Sequence, residues 1–354
     1  LGLACAAFYL TREEVIWFAP GVLLLAGAYL YGSWKISRAT AQRAAGWLGL
    51  ALVVAAIPVL AVCARNKSHY DWFGTCEFRA KDVQDAYGAM LRVRAGPELP
   101  FVPVTREARA AMAAASPAFA ELQKQFEAGI ARGWAESSEF FTHLPPDQGQ
   151  IGGGWLMWAV REATAKAGYY GNAAQALGFY RKLAHELNRA CDDGRLPAGP
   201  PRSGFLPEWR DEQTGPFLHA AGDFTDFVVS FSRFSARAPA SSGSPEELQL
   251  FRDITRERLS PPVGELDTVG AAQYVFNAWK VGVLHQVGKG LRPVLLVLFV
   301  IAQIVVVIRA GLVLGRKTWT YPLTVAAAAW GTCAASVLMH AMIEASSFPV
   351  LTVS

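Results

Sequence analysis

The sequence predicts an all-α membrane protein with at least four transmembrane helices and a mainly α-helical extracytoplasmic domain between the second and the third. Two long apolar stretches near the start of the chain and two near its end enclose residues 65–290, whose composition is that of a water-soluble protein. Each stretch has about the 20 residues that a helix needs to cross the hydrocarbon core of a bilayer. Because only a helix satisfies its own backbone groups inside lipid, we expect all four to be helical.

The predicted spans contain few or no charged residues. They cover residues 15–34, 44–64, 291–314 and 320–345. The opening residues 1–10 are apolar but half as long as a span, which indicates a truncated transmembrane segment. Residues 346–354 end in an apolar phrase without a polar tail. We expect them to be the extracytoplasmic start of a continuation with further spans.

The short loops predict the orientation of the spans, because cytoplasmic loops carry an excess of Lys and Arg. The loop between the first two spans contains three basic residues and no acid, namely Lys35, Arg38 and Arg43. The loop between the last two spans contains Arg316 and Lys317, again with no acid. Both loops are therefore predicted to be cytoplasmic, which places residues 65–290 on the extracytoplasmic side.

The charge distribution argues against a nucleic-acid partner. The chain carries a formal net charge of +4. Residues 65–290 contain 25 Lys and Arg against 26 Asp and Glu, so the basic excess lies outside the domain. A nucleic-acid-binding domain would instead concentrate basic residues on itself. The lipid bilayer is the partner that the composition predicts.

Five cysteines are present, and three of them lie in apolar segments. Only Cys76 and Cys191 fall in the predicted domain. In an oxidising extracytoplasmic space they are a candidate disulfide, whose loop of more than 100 residues would contribute roughly 4 kcal/mol of stability. Their spacing carries no signature, so pairing and free thiols are both open. No Cys/His pattern typical of a metal site occurs, and no metal or cofactor is predicted.

The domain is predicted to be mainly helical from its apolar periodicity and its capping residues. The predicted helices cover residues 105–130, with a break near Pro117, and then 154–167, 173–190 and 244–260. Five prolines between Leu196 and Pro216 predict an extended segment there. Residues 223–234 alternate aromatic and polar side chains, which indicates a short hairpin. An apolar stripe over residues 269–288 predicts a helix on the membrane surface before the third span.

One part of the domain resembles a periplasmic segment of uncharacterised polytopic bacterial inner-membrane proteins. The resemblance rests on Gly153, Gly154, Trp155, Trp158, Arg161, Glu162, Ala163, Gly168, Tyr169, Tyr180, Leu183, Ala184, Glu186, Asn188, Cys191, Gly194, Leu196, Pro201, Arg202 and Trp209. Near the end of the chain, the phrase Ser347, Phe348, Pro349 is similar to one that leads into another span in those proteins.

The resemblance covers about a sixth of the chain, and it implies a multi-pass protein of the bacterial inner membrane with a periplasmic domain. Some of those proteins look like distant relatives of lipid-linked sugar transferases. Ala198 stands where their pattern has a second cysteine, which leaves Cys191 free or paired with Cys76. The resemblance implies no activity and transfers no catalytic residue.

A glycine run and its neighbouring aromatic residues form one candidate ligand site. Gly152, Gly153 and Gly154 precede a predicted helix, and the N–H groups of such a start can hold a phosphate. The other interpretation is a close-packed turn, since the Lys-Ser/Thr ending of a nucleotide-binding loop is absent. Trp155 and Trp158 could stack on a sugar ring, or they could belong to the core.

Acidic and ionisable residues near the membrane form the remaining candidates. Glu13, Glu14 and Asp71 lie just outside predicted spans, where a carboxylate could deprotonate an acceptor hydroxyl in a transferase. His340 and Glu344 lie one helical turn apart in the last span. Ionisable groups in a span usually face a protein interior or a cavity, so this pair predicts either a transport site or a structural contact.

Three functional hypotheses follow. The domain is a binding or interaction module in the cell envelope, or the chain is part of a lipid-linked glycan transferase, or it is a transporter. The first requires least of the sequence, and it is the function that we predict. The partner would then be an envelope protein or a lipid-linked glycan.

Overall fold

The computed structural model describes residues 1–11, 15–230, 245–256, 268–316 and 321–349. Helices account for 80% of the structure, and these ranges contain two isolated β-bridges but no β-strand. The predicted all-α class is therefore confirmed.

Three helices are long and apolar enough to cross a membrane within the described ranges. They are Arg38–Tyr70, Gly282–Arg309 and Leu323–Ser346. The first predicted span is also helical, as part of α2 (Val15–Ile36), which follows α1 (Gly2–Thr11). Three membrane-spanning helices are thus supported, while the fourth span and the side of the membrane on which the domain lies remain predictions.

Helix α3 (Arg38–Tyr70) is longer than the span predicted within it. Ser37 begins it, and its Oγ accepts a hydrogen bond from the Thr40 N–H at 3.1 Å. The helix has 33 residues, or about 50 Å at 1.5 Å per residue, whereas a bilayer core is about 30 Å thick. The additional turns at its end bring Asn66 and Tyr70 next to the helical part of the chain that follows.

Six helices form the main folded core, which we call the helical domain. They are α4 (Lys81–Arg92), α5 (Arg106–Ala115), α6 (Pro117–Gln125), α7 (Ala131–Thr142), α8 (Gly153–Lys166) and α9 (Ala173–Asp192). The buried residues of the core all lie between Val83 and Leu196. The predicted helix 105–130 is interrupted at Ser116, whose Oγ caps α6, and again by a π-helical turn, Phe126–Ile130.

Helices α4 and α9 lie side by side and run parallel. At the start of α4, Asp82 accepts two hydrogen bonds of 3.0 and 2.9 Å from Arg181 in the middle of α9. At their ends, Arg92 donates to Asp192 at 2.7 Å. Asn172 begins α9 as predicted, because its Oδ1 accepts a hydrogen bond from the Gln175 N–H at 2.8 Å.

The candidate disulfide between Cys76 and Cys191 is absent from the structure, in which both are free thiols. Cys76 precedes the start of α4, whereas Cys191 lies in the last turn of α9, near Arg92 at the end of α4. The 12 residues of α4 span about 18 Å, whereas the Cα atoms of a disulfide are at most about 7 Å apart. Burial raises the pKa of the Cys191 thiol.

The proline-rich segment 196–210 contains no helix and crosses the end of α4. The extended segment predicted up to Pro216 is shorter than expected, because a 3-10 turn (Asp211–Gln213) and then α10 (Thr214–Ser230) follow residue 210. Arg94 N–H donates to the Pro197 carbonyl at 2.8 Å, and Gly199 N–H donates to the Arg92 carbonyl at 2.8 Å. Gly88 in α4 lies directly beneath it, since a Cβ atom there would come within 2.5 Å of the Arg202 carbonyl oxygen. The absence of a side chain at Gly88 allows this contact.

Three other predictions of local structure differ from what is observed. The hairpin predicted at 223–234 is wrong for its described part, because α10 (Thr214–Ser230) is helical; residues 231–234 lie outside the described ranges. Helix α11 (Pro245–Thr255) ends before residue 260, where the sequence predicted its end. Residues 257–260 also lie outside the described ranges. The stripe 269–288 is no separate surface helix, since it continues into the third span as the 49-residue α12 (Thr268–Arg316).

The chain divides into two compact units. The first contains Leu1–Ala221 together with the chain from Thr324, which includes most of α13 (Tyr321–Ser346). The second contains Gly222–Leu323, in which Arg292 of α12 lies 3.3 Å from Asp226 of α10. The predicted domain 65–290 therefore contributes to both units, and its buried core belongs to the first.

Candidate functional site

The glycine run at the start of α8 does not present free N–H groups. Each of its three N–H groups donates to a protein oxygen: Gly152 to the Ser138 Oγ (3.1 Å), Gly153 to the Phe101 carbonyl (2.7 Å) and Gly154 to the Ser347 carbonyl (3.1 Å). A phosphate held by this helix start would have to replace these bonds. The geometry supports the other interpretation, a close-packed turn.

The partner of this turn is the pair of residues that follows α13, which we call the Ser347–Phe348 segment. The Phe348 ring packs edge-on against Trp155, with 5.3 Å between the ring centroids. A Cβ atom on Gly153 would lie 2.8 Å from the Ser347 oxygen, and one on Gly154 would lie 2.5 Å from the Phe348 ring. The glycines therefore allow the segment to approach, and the two parts of the sequence that carry the resemblance contact each other.

We expect Phe348→Ala to destabilise this attachment. Removing the ring leaves a cavity against Trp155 and Phe141, and large-to-small changes at packed aromatic sites cost roughly 3 kcal/mol. Thermal unfolding of the detergent-solubilised full chain would measure the change. Leu218→Ala is the control, because Leu218 is 64% exposed and should leave the transition in place. Equal transitions for both variants would contradict this role of Phe348.

The two tryptophans of α8 have different surroundings. Trp155 belongs to the core region, packed between Phe348 and Trp134, and its buried Nε1 has no hydrogen-bond partner. Trp158 is 43% exposed and stacks on Phe78 at 5.2 Å, and Phe78 in turn stacks on Phe205 at 5.1 Å. The core interpretation therefore fits Trp155, whereas Trp158 presents an aromatic surface at the end of a stack.

The juxtamembrane acids are not brought together as an active site within the described residues. Asp71 follows the last residue of α3 and pairs with Lys67 at 2.5 Å, with both side chains more than half exposed. Such exposed pairs contribute little energy. Glu13 and Glu14 lie outside the described residues.

The ionisable pair in the last span lies where α13 meets the Ser347–Phe348 segment. Glu344 is 4% exposed, and the His340 Nδ1 is 2.7 Å from the Ser336 carbonyl oxygen. The spacing of one helical turn is confirmed, since both residues are in α13. The described ranges contain no group of three His, Cys, Asp or Glu residues that could hold a metal ion.

A cavity of about 430 Å³ opens where α3 meets the helical domain, and we call it the juxtamembrane cavity. Its walls come from the end of α3, the connection to α4, the middle of α8 and the start of α9. The lining residues are Asn66, Tyr70, Trp72, Thr75, Cys76, Glu77, Arg161, Tyr170, Gly171, Asn172 and Ala173. Its size is within the range of small-molecule sites, roughly 300–1,000 Å³.

An ion pair forms the polar centre of the juxtamembrane cavity. The Arg161 Nε and Nη2 both donate to the Glu77 Oε1, at 3.2 and 3.0 Å. The Arg161 guanidinium also lies 5.0 Å from the centre of the Tyr170 ring, a cation–π distance. Burial raises the pKa of Tyr170, so its hydroxyl stays protonated at neutral pH. The cavity thus combines a carboxylate, a guanidinium and neutral aromatic rings.

A second recessed region lies under the proline-rich segment, where two adjoining cavities have volumes of about 380 and 320 Å³. Four of its charged side chains pair with one another: Arg94 with Glu208, and Arg210 with Glu98 at 3.4 Å. These pairs link the two loops that form the walls. The region is therefore explained by the attachment of the proline-rich segment, and the juxtamembrane cavity is the better candidate for a ligand.

Most residues of the juxtamembrane cavity were not singled out by sequence reasoning. Arg161 is among the residues that carry the resemblance, but its partner Glu77 has no motif around it. The available signal was a cluster of aromatic and amide side chains directly after a span, at Asn66, Tyr70 and Trp72. The sequence gives no indication that residues near 170 would join them.

No protein-family model matches the chain. No curated protein and no solved structure matches it significantly either.

Proposed function

We propose that the chain is a membrane-anchored binding module, which holds a small polar ligand in the juxtamembrane cavity. One observation carries the proposal: the cavity is formed jointly by the end of a membrane-spanning helix and by the helical domain. Asn66 and Tyr70 come from α3, whereas Arg161 comes from α8. A ligand in this position would be bound next to the membrane surface.

The polar groups support binding at this cavity rather than elsewhere in the domain. The Glu77 side chain is 21% exposed and that of Arg161 is 43% exposed, so both are accessible from the cavity side without lying on the open surface. Partial desolvation strengthens their hydrogen bonds to a ligand compared with those of fully exposed charges.

We further propose that this module works on the extracytoplasmic side of a bacterial inner membrane, with an envelope component as its ligand. The support is the group of basic residues Lys35, Arg38 and Arg43 near the start of α3, at the opposite end of that helix from the cavity. The resemblance to periplasmic segments supports the same orientation. Protease added to intact spheroplasts should cleave within residues 71–221. Protection of these residues until the membrane is opened would reverse the orientation.

The expected result of Arg161→Leu is loss of a small molecule that copurifies with the full chain. The change removes both hydrogen bonds to Glu77 and the cation above Tyr170, while the side-chain volume is largely kept. Mass spectrometry of molecules extracted from the purified chain, in a detergent without a sugar head group, would detect the loss.

Arg181→Leu is the matched control for this experiment. Arg181 makes the same two-fold contact with a carboxylate, that of Asp82, but it is 72% exposed and does not line the cavity. We expect this variant to retain the molecule. The same set of molecules from the parent chain and from both variants would contradict the proposed function.

A further inference from the structure

The ion pair between Glu77 and Arg161 uses only some of the hydrogen-bonding atoms of the two side chains. Both hydrogen bonds from Arg161 go to the Oε1 atom of Glu77. The Oε2 atom has only a contact of 4.0 Å from the Cys76 Sγ. Within the described part of the chain, the Arg161 Nη1 has no hydrogen-bond partner. One strong acceptor and one strong donor therefore remain side by side for a ligand.

Each of the two asparagines that line the cavity has one end of its side-chain amide hydrogen-bonded within the protein. Asn66 Nδ2 donates to the carbonyls of Gly74 at 2.7 Å and Thr75 at 3.3 Å, which leaves its Oδ1 as an acceptor. Asn172 Oδ1 accepts the Gln175 N–H at 2.8 Å, which leaves its Nδ2 as a donor. An amide has one acceptor end and one donor end. These local bonds therefore determine whether the end that remains is the oxygen or the nitrogen.

The remaining groups are two acceptors, Glu77 Oε2 and Asn66 Oδ1, and two donors, Arg161 Nη1 and Asn172 Nδ2, and this set restricts the chemistry of the ligand. A phosphate offers only acceptors at its charged oxygens, so it would be repelled by the Glu77 Oε2 and would leave the Asn66 Oδ1 unpaired. An ammonium group offers only donors and could not use the Arg161 Nη1. A hydroxyl group both donates and accepts, so neighbouring hydroxyl groups can satisfy all four positions. The paired charges of Glu77 and Arg161 also favour a neutral ligand.

Aromatic side chains supply the other half of the cavity. The outer edge of the Trp72 indole lies against Gly74, since a Cβ atom on Gly74 would fall within 2.5 Å of three of its ring carbons. Tyr170 is covered by Arg161 on one face, and Tyr70, also in the lining, is 57% exposed. Rings held in this way provide apolar surfaces next to polar groups, an arrangement that suits a molecule with hydroxyl groups at its edge and C–H groups on its face.

From these observations we propose that the juxtamembrane cavity binds a saccharide ring. Its adjacent hydroxyl groups would bridge the Glu77 carboxylate and the Arg161 guanidinium, and its C–H face would rest on the aromatic wall that includes Trp72. This inference rests on the proposed function, because it assigns a ligand class to the same cavity. The sugar can be free or the head group of a membrane lipid, since both present the same ring.

The test is ligand-observed NMR on the full chain in lipid nanodiscs, using methyl glycosides of glucose, mannose and N-acetylglucosamine. Inorganic phosphate and ethanolamine are the comparison probes. We expect saturable binding of at least one glycoside, and affinity at least about tenfold lower for Glu77→Gln, because a charged hydrogen bond is lost. Glu208→Gln, which changes the carboxylate paired with Arg94, should bind like the parent chain.

A second variant covers the case in which Glu77→Gln does not fold. Gly74→Ala places a methyl group against the Trp72 ring and displaces it, while all four polar positions are kept. It should also weaken glycoside binding. A nanodisc containing a glycolipid, compared with one to which free glycoside is added, distinguishes a lipid head group from a free sugar.

Each outcome has a defined meaning. Binding of phosphate or ethanolamine without binding of a glycoside overturns the saccharide assignment, as does glycoside binding that neither variant weakens. If the molecule that copurifies is lost in Arg161→Leu but is no saccharide, the proposed function stands and this inference fails. If no molecule depends on Arg161 and no glycoside binds, both fail.

Discussion

Arg92→Ala is expected to lower the free energy of unfolding of the helical domain by about 3 kcal/mol. Arg92 is 8% exposed and makes three contacts that hold different parts of the fold together. It donates to the Gly199 carbonyl (2.9 Å), the Asn188 Oδ1 (3.1 Å) and the Asp192 Oδ1 (2.7 Å). The substitution removes all three bonds and leaves the Asn188 and Gly199 acceptors without their donor.

The loss comes mainly from hydrogen bonds and packing, because Asp192 is 61% exposed and water screens its charge. Thermal or denaturant unfolding of the solubilised chain, followed by circular dichroism, would measure it. Arg181→Ala removes the ion pair at the other end of α4, where the Arg181 side chain is 72% exposed. We expect a much smaller loss there because water screens an exposed pair, and equal losses at both ends of α4 would refute the role of Arg92.

Gly88→Ala and Gly178→Ala are expected to change stability in opposite directions. At Gly88, a new Cβ atom would lie 2.5 to 2.8 Å from backbone atoms of Arg202 and Ser203, so the proline-rich segment must move. Overpacking of this kind costs roughly 1–3 kcal/mol. At Gly178, in the middle of α9, no atom lies within 4 Å of the corresponding position. Alanine there should stabilise the helix by up to about 1 kcal/mol.

The same unfolding measurement tests this pair, and the identical substitution makes the comparison direct. The helix propensity gain applies at both positions, so the difference between them reports the contact with Arg202 and Ser203. Stabilisation by both substitutions would show that the proline-rich segment does not lie against α4 in solution.

The elements that sequence reasoning predicted well depend on local chemistry. Asn172 and Gln175 give α9 its start through one hydrogen bond, and Ser116 with Pro117 divides the preceding helix pair; both signals lie within four residues. The hairpin prediction is wrong over residues 223–230 because alternating aromatic residues are compatible with a helix when tertiary contacts favour it. The sequence left the pairing of Cys76 with Cys191 open because their distance depends on the parallel arrangement of α4 and α9, which no local signal encodes.

The candidate site could be predicted only in part for the same reason. The packing of Trp155 against Phe348 and the hydrogen bonds of the glycine run agree with the core and close-packed interpretations, which the sequence left open beside a ligand site. The juxtamembrane cavity combines residues from 66 to 173, and the bond between Glu77 and Arg161 joins positions 84 residues apart. Such a contact becomes visible only after α3, α8 and α9 are placed around one core.

Helix α8 connects two of the contacts described above. Its first turn is bound to the Ser347–Phe348 segment, and two turns later Arg161 forms the ion pair of the cavity. The distance along the axis from Gly154 to Arg161 is about 10 Å. The residues that follow α13 and the wall of the cavity are therefore joined through a single helix.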